Sequence, residues 1–277
     1  MNDEKVCGCT GVRSCLLCKK QKPDKIIIEN KNQYWYCPSC KKIFQGDLSC
    51  LPVDSSYVSS WCVYHEGGMA CKDIVKGIHV FEEFISDKEE EFLVSEINKQ
   101  EWKLSQSGRR KQDFGPKPNF KRKKLKLGNF SGLPAYVKFL VNRINEVNPL
   151  RSFIAVELCN LEYTPERGSS IDPHIDDIWL WGEQLVTVNL LSRTFLTLSC
   201  SNLSLYIPMS QKSLIILEDE ARYKWLHSIN RSHINKKRIA MTFRNLSSEF
   251  EKVEGTGYEV GQEIIKIAQS FEGTVNL

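Results

Sequence analysis

The second half of the chain is built from short, evenly spaced, strand-forming segments, and this constrains the fold more than any other feature. After Arg151 they run 153–163, 171–178, 185–191, 194–200, 203–207, 213–217, 223–229 and 238–244, separated by Pro, Gly, Ser and Asn. Leu203, Leu205 and Ile207 alternate with Ser204 and Tyr206, and Ile239, Met241 and Phe243 with Ala240 and Thr242. Alternation at period two makes a strand with one buried face, and about eight such strands in succession predict a sandwich or jelly roll. Ile78–Phe81 reads as a strand. Asp87 caps a helix whose apolar face is Phe92, Leu93 and Ile97. Leu133–Val147 and Val260–Phe271 read as further helices. The expected class is therefore mostly β with flanking helices. Its divisions are a Cys-rich arm (1–72), a helical and basic region (77–150), a jelly-roll core (151–250) and a C-terminal helix (251–277).

Eleven cysteines are present, six of them Cys7, Cys9, Cys15, Cys18, Cys37 and Cys40. Thiolates two or three residues apart can share one ion through a tight turn, and zinc favours four such ligands in a tetrahedron. Structural Zn²⁺ is thus expected in the arm. Cys7, Cys9, Cys15 and Cys18 can form one site, or Cys15 and Cys18 can join Cys37 and Cys40. Cys62, His65 and Cys71 are further candidates for a second site. The chain starts with charged residues leading into cysteines rather than an apolar stretch, which argues against a cleaved secretory signal. Its longest uncharged run, Thr194–Gln211, is broken by polar residues and Pro, so no membrane span is expected. A reducing compartment, cytoplasm or nucleus or both, suits the clustered thiols.

Charge is concentrated too. Residues 109–126 hold nine Lys or Arg against one Asp, a net +8 in a chain of overall +4, so the remainder is net negative. Such a stretch reads as a surface for nucleic acid or an acidic protein, or as a solvated loop. Gly108, Gly115, Pro116 and Pro118 make it mostly loop or short hairpin.

His174-Ile175-Asp176 places an imidazole and a carboxylate two residues apart, hence on one face of a strand. A third ligand from a neighbouring strand completes the two-His-one-carboxylate facial site of non-haem Fe(II) oxygenases. His227 lies on another expected strand, whereas its rival His233 sits in a turn-like run. Arg238 and Arg244 are six apart and share a strand face, with Ala240 and Thr242 between them. Their backbones stand about 20 Å apart, so they serve opposite ends of a site. Arg238 suits a clamp on the far carboxylate of a dicarboxylate cosubstrate, and Arg244 the metal end.

This set resembles the AlkB family of Fe(II)- and 2-oxoglutarate-dependent dioxygenases. The stretches CGCTGVRSCLLC (7–18), WKLSQSGRRKQDFGPK (102–117), CNLEYTPERGSSIDPHIDDIWLWGEQLVTVNLLS (159–192) and RIAMTFRNLSSEF (238–250) resemble in particular its branch of fourth animal homologues. The resemblance implies a double-stranded β-helix with His174, Asp176 and His227 on Fe(II). It implies 2-oxoglutarate on Arg238, with Arg244 and Tyr163 assisting. The family's Asn-x-Tyr is matched only at Tyr163, because Leu161 stands where Asn is expected and Asn160 is one residue off. The implied reaction is oxidative N-demethylation with O₂, yielding succinate, CO₂ and formaldehyde. The basic segment 105–126 falls where the family has its substrate lid, which makes Arg109, Arg110 and Lys111 candidate substrate contacts. Trp179 and Trp181 are candidates to hold a methylammonium by cation–π attraction. The implied partner is a monomethyl-lysine protein such as actin, or alternatively N6-methyladenine in DNA. A non-catalytic zinc-arm scaffold is the competing class. A dead copy is free to lose any of His174, Asp176, His227 or Arg238, and all four are present.

Overall fold

Alternation along the strands resolves into two seven-stranded sheets with an apolar layer shared between them. The computed structural model describes residues 7–10, 13–18, 32–46, 62, 70–71 and 74–274. In chain order the elements are β1 (Asn32–Cys37), β2 (Lys42–Gln45), β3 (Ala70–Cys71), β4 (Ile78–Phe81), α1 (Asp87–Asn98), β5 (Lys103–Leu104), β6 (Arg110–Phe114), β7 (Lys117–Asn119), β8 (Lys124–Lys126), α2 (Lys138–Glu146), β9 (Glu157–Tyr163), β10 (Ile171–His174), β11 (Trp181–Leu190), β12 (Thr194–Cys200), β13 (Leu203–Met209), β14 (Leu214–Leu217), α3 (Asp219–Tyr223), β15 (Leu226–Ile229), β16 (Arg238–Leu246), α4 (Ser248–Glu251) and α5 (Tyr258–Ala268). One sheet runs β10-β15-β12-β13-β1-β2-β3 and the other β4-β14-β11-β16-β9-β6-β5. This is the double-stranded β-helix expected from the sequence.

Strand β16 shows how the layers are sorted. Ile239, Met241 and Phe243 point away from the partner sheet and pack with Leu93, Ile97, Leu140, Ile144 and Ile264 of the helices. The alternate residues Arg238, Ala240, Thr242 and Arg244 point between the sheets and line a cavity there. Leu185, Leu196, Leu198, Leu205, Ile207 and Ile229 fill the rest of that layer. Each face removes apolar area from water, the main favourable term in folding.

Four details differ from the sequence expectation. Helix α1 is capped by Ser86, not Asp87: the Ser86 side chain accepts from the Glu89 N–H, and Glu89 accepts from the Ser86 N–H. The helix expected from Leu133 begins as a 3₁₀ turn at Ala135–Val137, and α2 starts only at Lys138. Residues 110–114 are a strand rather than loop, since β6 pairs with β9 and buries Gln112 and Phe114. Glycine and proline at its ends hide this in the sequence. Finally, β1 pairs in parallel with β13, so residues 32–45 extend a core sheet. Among the described residues no helix is long and apolar enough to cross a membrane.

Candidate metal and cosubstrate site

His174 and His227 are directly opposite each other on the antiparallel pair β10 and β15. Facing positions on neighbouring strands bring side chains together, and the two ring centroids are 4.2 Å apart. Asp176, just past the end of β10, completes the group: its Oδ1 is 3.3 Å from His174 Nε2 and 3.9 Å from His227 Nε2. All three ligand atoms lie within 4.8 Å of one another. His174 Nδ1 donates to the Asp172 carbonyl at 2.8 Å, which turns Nε2 toward the cluster. Burial pushes the His227 imidazolium down to about 3, so this ring is neutral at ordinary pH. Burial alone would raise the Asp176 carboxyl. The Arg244 guanidinium beside it, with the hydrogen bond from His174, more than offsets this and holds it well below the usual carboxylate range. Two imidazoles and one carboxylate around one point are the donor set of a divalent-metal site with open positions.

The other end of the cavity is cationic. The Arg238 guanidinium is fully buried and stacks on Tyr163 at 4.8 Å. Its Nε donates to Asn189 Oδ1 at 2.6 Å, and its Nη1 has no partner among the described residues. Asn189 is held in turn by donating to the carbonyls of Ser192, Met209 and Ser210, so its oxygen is fixed toward the arginine. A buried guanidinium with a free N–H and no carboxylate against it needs an anion. The cavity reaches from His174, Asp176 and His227 past Thr187 and Thr242 to Arg238. The residues therefore fit both a metal ion at one end and a carboxylate at the other.

Arg244 belongs to the metal end, as its six-residue offset from Arg238 predicts. It donates to Asp176 Oδ2 at 2.7 Å and to Glu157, and lies over the Trp181 ring at 5.6 Å. Sequence reasoning missed Asn189, Glu157 and Arg222. Arg222, fully buried on α3, donates to the carbonyls of Asp176, Trp181 and Gly182 and pins the loop that follows β10. No motif announces it, because its partners are main-chain atoms.

Several expected contacts are placed elsewhere. Arg109 is buried and donates to the Gln106 carbonyl. Arg110 forms a two-pronged pair with Glu162, at 2.6 and 2.7 Å, over the Trp102 ring. Lys111 pairs with Asp113 at 2.6 Å. Arg110 and Lys111 are thus paired with carboxylates within the fold, and none of the three lines the cavity. Trp179 and Trp181 pack in the core, against Phe250 and under Arg244 respectively, and neither lines the cavity. Asn160 is buried and bonded to Gln112 and Tyr136, away from the cavity. His233 packs its ring on Phe195 and Tyr206.

What stays exposed of the basic segment is the hairpin of β7 and β8, with Lys117, Lys121, Arg122, Lys123, Lys124 and Lys126 outward. At its tip, half-exposed Phe120 meets Trp179 edge-on at 6.4 Å, three residues past Asp176. The hairpin is thereby anchored beside the metal end.

The cysteines separate into two groups. Cys7, Cys9, Cys15 and Cys18 cluster together, and Cys37, Cys40 and Cys62 form another cluster. The alternative in which Cys15 and Cys18 join Cys37 and Cys40 is not the arrangement found. Cys71 is outside both groups, and His65 lies outside the described residues.

No family model matches the chain. It is 38% identical over 303 residues to the Homo sapiens protein named alpha-ketoglutarate-dependent dioxygenase alkB homolog 4, across 96% of this chain and 94% of that one. The Mus musculus protein of the same name is 37% identical over 307 residues, across 96% and 95%. A Caenorhabditis elegans protein named DNA N6-methyl adenine demethylase is 34% identical over 281 residues, across 95% and 94%. With this similarity running nearly end to end, the chain belongs to the alkB homolog 4 family of Fe(II)- and 2-oxoglutarate-dependent dioxygenases.

Proposed function

We propose that the protein is an oxidative N-demethylase acting on a macromolecule with a negatively charged surface. The observation that carries the reading is the cavity that joins the His174, Asp176 and His227 cluster to the buried, partly unpaired Arg238. His174, Asp176 and His227 would hold the iron. Arg238 would take the far carboxylate of 2-oxoglutarate, with Tyr163 packed beneath its guanidinium. Bound there, iron, 2-oxoglutarate and O₂ would supply the oxidising chemistry that hydroxylates an N-methyl carbon, with 2-oxoglutarate going to succinate and CO₂. The hydroxymethyl group then leaves the nitrogen as formaldehyde. The chain's own part is positional. Arg244 fixes one carboxylate oxygen of Asp176, Arg222 pins the loop behind it, and the apolar wall of Leu161, Leu185 and Ile229 excludes water.

The first substrate reading is monomethyl-lysine on an acidic protein such as actin. The sequence resemblance supports it, and so does the exposed hairpin of six cations beside the metal end. The second is N6-methyladenine in DNA, supported by the Caenorhabditis elegans relative's name and by the same cations, which suit a phosphate backbone. The test is formaldehyde release by the reduced, iron-loaded protein on monomethyl-lysine actin and on N6-methyladenine DNA in parallel, with Asp176→Ala as blank. Release from one substrate alone selects it. Release from neither, with 2-oxoglutarate still consumed, removes both substrates and leaves the dioxygenase.

A further inference from the structure

We propose that Cys7, Cys9, Cys15 and Cys18 bind one structural zinc ion, and that this ion clamps the N-terminal arm across the two segments leading into the iron site. All four ligand sulfurs lie within 4.8 Å of one another, and Cys15 and Cys18 Sγ are 3.7 Å apart. In a tetrahedron with zinc–sulfur bonds of about 2.3 Å, the sulfurs stand about 3.8 Å apart. A disulfide would bring them to about 2.05 Å, and all four cysteines are free. The Cys15 N–H donates to Cys18 Sγ at 3.3 Å, a contact that favours the charged sulfur a zinc ligand must carry.

The described residues 7–10 and 13–18 form no helix or strand. Residues 13–18 form only a turn, and Leu16 and Leu17 face outward at 49% and 44% exposure. None of the described residues 7–10 and 13–18 belongs to the hydrophobic core clusters. A segment without a core of its own needs a cross-link to stay folded.

What the clamp would grip is specific. Gly8 lies on the backbone of Leu104 and Ser105 so closely that an added Cβ would stand 2.7 Å from Leu104 C. Gly108, at φ +74°, sits between the Arg167 carbonyl and the Cys15 Cβ. On the other side the Leu16 N–H donates to the Arg167 carbonyl at 3.2 Å. Arg231 bridges the Gly168 and Ser14 carbonyls, and Arg13 pairs with Asp172 at 3.6 Å. The Asp172 carbonyl in turn orients the His174 ring. The route from the thiols to the first iron-site histidine therefore runs through 13–16 and 167–172, while 104–108 leads into β6.

The test uses the full-length chain without iron or 2-oxoglutarate. Zinc is counted before and after Cys15→Ser/Cys18→Ser, cobalt is substituted for zinc, and amide hydrogen exchange is followed. The double variant is expected to lose one equivalent of zinc relative to the parent, along with the absorption of a tetrahedral tetrathiolate cobalt centre. Because that variant can misfold, the parent is also stripped with a thiol-blocking mercurial, then restored with thiol and zinc. Exchange at 104–109 and 164–172 should quicken about tenfold or more on stripping and return on restoration. Equal zinc in parent and double variant, or unchanged exchange at 164–172 after stripping, overturns the proposal. Only the accompanying fall in 2-oxoglutarate turnover rests on the dioxygenase site, so the two readings fail separately.

Discussion

Arg244 Nε donates to Asp176 Oδ2 at 2.7 Å, and this leaves Oδ1 as the oxygen that faces His174 and His227. The arginine thus selects which carboxylate oxygen is offered to a metal. Outer-shell partners of this kind typically contribute 10- to 100-fold in metal affinity, so Arg244→Gln should weaken Fe(II) binding by about that factor. Anaerobic iron titration measures it. Unaltered iron affinity in the variant would show that Asp176 is oriented by its backbone alone.

At the opposite end, Arg238→Met removes the buried cation while leaving the three metal-site residues untouched. A lost charge-assisted pair is worth about 1.5–3 kcal/mol, so KM for 2-oxoglutarate should rise about 10- to 100-fold. Iron affinity should stay at the parent value. Arg238→Lys keeps the charge but loses the fork that reaches Asn189, and should recover only part of the loss.

The exposed hairpin supplies a third outcome. Reversing Lys121, Arg122, Lys123 and Lys124 to Glu should raise KM for an anionic macromolecule and flatten the dependence of turnover on salt. Consumption of 2-oxoglutarate without substrate should persist, since none of the four lines the cavity. A salt dependence that survives the reversal would assign it to another surface.

Stability should carry an acid-dependent component from Glu89. Its hydrogen bonds from Arg143 bring the carboxyl down from 4.5 to about 2. A depressed folded-state value means the pair stabilises fully above 4.5, and that this is lost as pH falls from 4.5 through 2. Both side chains are partly exposed, so the contribution is about 1 kcal/mol or less. Denaturant melts between pH 6 and pH 3 should show a shallower acid decline for Glu89→Gln, after the general acid loss common to both proteins (about pH 5 downward) is subtracted.

The site was legible where its logic is periodic. His174 and Asp176 obey the two-residue period, and Arg238 and Arg244 obey it over six residues of β16, so their shared face could be read before any fold was known. The basic run was misleading where its partners are remote. Arg110 is neutralised by Glu162, 52 positions away, across the β6–β9 pair, and nothing local reports that. Trp179 and Trp181 follow the His-x-Asp closely, yet a turn intervenes and sends both rings into the core. Asn189 and Arg222 were silent for a different reason: they act through main-chain carbonyls, which every residue carries. The cysteine spacing left the pairing open, because two groupings satisfy the same spacing and only the path of β1 and β2 separates them.

One consequence follows from the alternation along β16. Arg238 and Arg244 hang from a single strand, so the separation of these two cations is counted in backbone repeats, while the metal-site residues come from the facing sheet. The strand acts as a ruler, and its graduations are pairs of residues. An acid one carbon longer or shorter cannot be accommodated by moving Arg238 one position, since that would turn the guanidinium into the helical layer. The carboxylate clamp can therefore shift along β16 only in steps of two residues.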